Sequence, residues 1–100
     1  MAKAKEVEEL NRLDRSVAAA TLSSIMLELS KFKLTIPAGK ERRTPSDITS
    51  KICVVCDNIR TAHPKLDREV TALEDNMWMT TDAIRYVMSL QMALEKAGVC

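Results

Sequence analysis

Residues 65–97 read KLDREVTALEDNMWMTTDAIRYVMSLQMALEKA. Leu66, Val70, Leu73, Met77, Thr80, Ile84, Val87, Gln91 and Leu94 alternate four- and three-residue steps, a heptad seam without a slip. The spacing predicts one helix over about 65–97, roughly 48 Å long. Thr80-Thr81-Asp82 has the residue types of a helix start, but the unbroken register favours a single rod. Gly98 suits the position just past its end.

Upstream, His63-Pro64 stops a shorter helix expected over about 45–62. Thr44 is the expected N-cap, Pro45 the first helical residue and Asp47 the capping acid. Ile48, Ile52, Val55, Ile59 and Ala62 follow on one face. The first helix is expected over about 3–33, with Val7, Leu10, Leu13, Val17, Leu22, Ile25, Met26, Leu29 and Phe32 at mostly helical steps. Its register slips by one near Ala18-Ala19-Ala20, where small side chains let another helix come close. Ile36-Pro37-Ala38-Gly39 ends it.

The expected fold is all-α: one helical domain over 1–100, a long–short–long three-helix chain forming an intertwined helical-bundle dimer. The middle helix is half the length of its neighbours, so two apolar ends are left without cover. They are Val7, Leu10, Leu13 and Val17 early in the chain, and Ile84, Val87, Met88, Leu90 and Leu94 late in it. Each aliphatic side chain kept in water forgoes roughly 1.5–3 kcal/mol, which a second subunit or another helical protein would recover. Trp78, beside the seam, joins this interface as an aromatic anchor. The alternative is a compact monomer, re-registered by the 35–44 connection or by a kink at Thr80.

Composition narrows the function. The 100 residues are 46% hydrophobic, 29% charged and 3% aromatic, with 2 Gly and 3 Pro, a globular helical mixture. A formal charge of +1 gives no global field toward polyanions. No apolar run approaches the ~20 residues of a membrane span, and the charged start lacks a signal peptide's apolar stretch. The 3 cysteines, an odd number, suit a reducing compartment, so the chain is expected to be intracellular and cytoplasmic, without a membrane partner.

No catalytic, cofactor-binding or metal residue is expected. Cys53-Val-Val-Cys56 lies two turns inside a helix, whereas a thioredoxin-type cysteine needs the helix N-terminus. A zinc site would have to draw on Cys53, Cys56, His63 and Cys100, with only one cysteine pair at knuckle spacing. His63 reads as a helix C-terminal residue complementing the dipole, and Glu6-x-x-Glu9 and Glu74-Asp75 as solvated helix faces. Ala38-Gly39-Lys40 is a turn, not a phosphate loop. Met77, Met79, Met88 and Met92 fit a core or interface better than a ligand box. Neither an enzyme nor a small-molecule substrate follows from these residues.

Lys31, Lys33, Lys40, Arg42 and Arg43 stand against Glu41 alone, a local charge of +4. They read as a solvated loop or as a phosphate or acidic-partner contact. With no aromatic interleaving, nucleic acid would be recognised by backbone and shape, with Lys5, Arg12 and Arg15 contributing.

The long–short–long layout resembles the all-helical chorismate mutases, whose intertwined dimers solve the same overhang. Leu13-Asp14 and Pro45-x-Asp47-Ile48 fall roughly where that family has similar residues. The resemblance implies an intertwined dimer and, more weakly, a mutase-like enzyme. It departs at the family's basic clamp, where Ser23, Ser24 and Ile25 stand in the first helix and Thr49-Ser50-Lys51 in the second. The layout is also similar to small viral helical dimers that bind double-stranded RNA. The expected function is thus a non-enzymatic homodimerisation or interaction module, an assembly or adaptor subunit. The alternative is a double-stranded-RNA-type binder of viral or regulatory origin.

Overall fold

A computed structural model describes the backbone of residues 2–97 and the side chains of residues 17–97. Four α-helices follow in order: α1 (Ala2–Leu34), α2 (Ser46–Ala62), α3 (Asp67–Asn76) and α4 (Thr80–Lys96), with a 3₁₀ turn at Pro64–Leu66 before α3. Among the described residues there is no strand, only an isolated antiparallel bridge between Arg43 and Met79.

Helix α1 packs on α2 and α4, and α3 packs on the same two. Neighbouring helices run in opposite directions. Lys51, early in α2, donates to Glu28 late in α1 at 2.8 Å, and Lys33 at the end of α1 donates to Thr81 at the start of α4 at 3.5 Å. At the far end, Ala97 lines one cavity with Ala62 and Pro64. The 33 residues of α1 span about 50 Å, roughly twice the 17-residue α2 and α4, and account for the long dimension of 57 × 22 × 22 Å.

All four helices feed the core. Leu22, Ile25 and Leu29 meet Ile52, Val55 and Ile59, and across them Val70, Leu73, Val87, Leu90 and Leu94, all fully buried. The expected apolar spacing is realised here for Leu22, Ile25 and Leu29 of α1 and for Ile48, Ile52, Val55 and Ile59 of α2, which begins one residue later than expected.

The expected single helix over 65–97 is corrected: it breaks at Met77–Met79 and reverses. No proline or glycine marks the break. Its stability comes from packing, because reversal folds Ala83, Val87, Leu90 and Leu94 onto α1 and α3. At roughly 1.5–3 kcal/mol for each large side chain, this outweighs a few helical hydrogen bonds at about 1 kcal/mol each. The freed backbone groups find partners in the α1–α2 connection. Thr44 N donates to Trp78 O at 2.8 Å and Thr80 N to Arg42 O at 3.1 Å.

Two further expectations change with it. Thr44 does not cap α2: Pro45 holds the N-cap position without a side-chain cap, and the Thr44 hydroxyl donates to Met77 O at 2.6 Å. The long–short–long layout that resembled the chorismate mutases is likewise replaced by four helices.

Candidate interaction surface

A groove runs between α4 and α1. Ala19 and Ser23, one turn apart on α1, leave a shallow trough, and Met88, Gln91, Met92 and Glu95 of α4 form the other wall of a space of about 310 Å³. Met88 sits one residue past the fully buried Val87, a rotation of about 100° along the helix that turns it outward. Met88 and Met92 are 50% and 53% exposed. Methionine's flexible, polarisable side chain suits a surface that must adapt to a partner.

The expected interface residues divide into four groups. Val87, Leu90 and Leu94 are corrected: they are fully buried in the chain's own core, because the break brings α4 back along α1. Ile84 is half-buried and packs against that core. Val17, Trp78 and Met88 remain exposed, Val17 at 59%. The side chains of Val7, Leu10 and Leu13 lie outside the described residues. The sequence points to Met92 as a core or interface methionine and to Ala19 as a place of close helix approach, but it does not single out Ser23 or bring the three together on one groove. The signal was present in two i,i+4 pairs, one large and one small, off the core register.

At the opposite end from Ala97, Lys31, Lys33, Lys40, Arg42 and Arg43 are all exposed, and none takes part in the ion pairs among the described residues. Lys33, Pro37, Lys40 and Thr81 border a small hollow of about 130 Å³. Glu41 lies among these cations and accepts from Arg42 N at 3.1 Å and Thr81 N at 3.3 Å. Hydrogen bonding from Thr81 and Arg42 holds its carboxyl below the ordinary value, with Lys33 adding charge attraction. The chain thus supplies its own anion to the start of α4.

A separate charged cluster ties α2 to α3. Arg60 donates to Asp67 at 2.9 Å and to Glu74, and approaches Asp57 at 3.5 Å. The hydrogen bonds to Glu74 and Asp67 raise the guanidinium's affinity for its proton.

Cys53 and Cys56 are free thiols. Cys56 is fully buried, and burial, with the Glu74 charge adding, pushes its thiol up to about 12. Cys53 is a half-buried free thiol. Cys100, the remaining member of the weighed zinc set, lies outside the described residues. Among the described residues no three His, Cys, Asp or Glu side chains gather as a metal site would require, and no helix is long and apolar enough to cross a membrane. No family model, curated protein or solved structure matches the chain.

Proposed function

We propose that this chain is a non-enzymatic helical assembly module that works by pairing its outer helical faces, first of all with a second copy of itself. The observation that supports the reading is the exposure of Met88 and Met92 beside the Ala19–Ser23 trough. Large apolar side chains gathered on a groove are a feature of docking surfaces. Val17 at 59% and Trp78 at 50% exposure add apolar surface on α1 and at the α3–α4 break. Sedimentation equilibrium across a thousandfold range of concentration is the test. Reversible self-association is expected, and a single monomeric species throughout would overturn the reading.

A second reading has its own observation: the five cations around the α1–α2 connection are exposed and outside any ion pair of the described residues. A nucleic-acid backbone would supply the missing countercharge. On this reading duplex RNA binds with a steep loss of affinity as salt rises, and Lys40, Arg42 and Arg43→Ala abolishes the binding. Indifference to duplex RNA at low salt would remove it.

A further inference from the structure

The outward side of α4 carries Arg85, Met88, Met92 and Glu95 at steps of three, four and three. All four are exposed, and neither Arg85 nor Glu95 joins an ion pair among the described residues. The order is cation, methionine, methionine, anion, with equal spacing on either side of the midpoint. An isologous interface must be complementary to itself, because a two-fold axis brings each residue opposite its mirror position. Reversed about its midpoint, this stripe sets cation against anion and methionine against methionine.

We infer that two copies of the chain pair through α4 in antiparallel register, the two-fold axis crossing the outer face of the helix level with position 90. Arg85 then lies opposite the partner's Glu95, and Met88 opposite the partner's Met92. The inference rests on the self-association reading above and specifies which face carries it. A parallel pairing would set Arg85 against the partner's Arg85 and Glu95 against the partner's Glu95, so the charges select the direction as well as the register. The trough of Ala19 and Ser23 runs alongside Met88 and Met92. With no bulk on that flank, the partner helix can settle close and the methionines can spread into the space. The half-buried Gln91 and exposed Ser89 flank the axis, polar groups able to meet their counterparts across it.

The test is a charge swap read by sedimentation equilibrium, with far-UV circular dichroism confirming helix content. R85E leaves two acids on the stripe and E95R leaves two bases, so each variant alone opposes like charges twice. Dimerisation of each is expected to weaken about tenfold at low ionic strength, since the symmetry doubles every change. Mixing R85E with E95R restores association as a heterodimer, and the R85E/E95R double variant restores the homodimer. These two rescues cannot come from a general loss of stability. If the wild-type chain self-associates but neither reversal weakens it, this interface is overturned while the assembly reading stands. If the wild-type chain is monomeric at every concentration, both fall.

Discussion

Thr44 and Thr80 show how single hydroxyls fix the turn between α3 and α4. Both are buried. The Thr44 hydroxyl donates to Met77 O at 2.6 Å and that of Thr80 to Arg42 O at 2.8 Å. Replacing either by valine keeps the shape and removes the donor, but the consequences differ. The Arg42 carbonyl still receives Thr80 N–H at 3.1 Å, whereas no second connecting bond takes over Met77 O. T44V is therefore expected to cost about 1–3 kcal/mol and T80V less, compared by urea denaturation. Cys56 gives a second prediction at this scale. Its folded thiol titrates near 12, above an ordinary 9.0, so the buried neutral form contributes stability that is complete below pH 9. That contribution is lost progressively as pH rises toward 12, because the unfolded chain releases the proton first. Melting temperatures should fall across that interval and fall less in C56A. Mass spectrometry of alkylated native protein should find Cys53 modified and Cys56 protected until unfolding.

Among the elements, α3 is the shortest helix, at 10 residues, and too short to hold by propensity alone. Val70 and Leu73 anchor it to the core, and Arg60 holds its two ends through Asp67 and Glu74. R60A should therefore speed hydrogen exchange of α3 amides several-fold while leaving α1 protected. High salt should narrow the difference, because these groups face solvent in part. The same region explains what the sequence could and could not tell. Helix α2 and the end of α1 are legible because Pro37 and Gly39 close α1, Pro45 and Pro64 bracket α2, and the apolar spacing of α2 is regular. The break in 65–97 is not, because a period near 3.5 persists through a reversal whenever both arms face one core. The seam predicts Ile84 and Gln91 inward beside Thr80, Val87 and Leu94, whereas Ala83 and Leu90 take that place in the core, a shift of the buried face that tertiary packing imposes. Thr80-Thr81-Asp82 is the correct local sign of the start of α4, and the unbroken periodicity masks it.

Taken whole, the molecule is a rod of 57 × 22 × 22 Å, and five of its exposed cations, Lys31, Lys33, Lys40, Arg42 and Arg43, gather where the α1–α2 connection meets the start of α4. Three of the residues expected to need a partner, Val87, Leu90 and Leu94, are satisfied within the chain, so the case for assembly moves from an overhang of the last helix to the methionine groove. An antiparallel pairing on α4 centred at residue 90 sets the two basic clusters about 30 Å apart along the dimer, well beyond a Debye length at physiological salt, so their like charges oppose association little. The thermodynamic consequence is a melting temperature that depends on concentration. Association favours the folded chain by mass action, and above the dimer's dissociation constant each tenfold increase should raise Tm by about 3 °C for chains of this size. M88D/M92D places like charges on both sides of the axis and should remove the dependence, leaving Tm at its dilute value. Both side chains are half-exposed in the lone chain, so the substitution leaves the core intact. Differential scanning calorimetry across two decades of concentration reads the slope directly. A flat wild-type line would contradict the assembly reading, and an unchanged slope in the double variant would move the interface off α4.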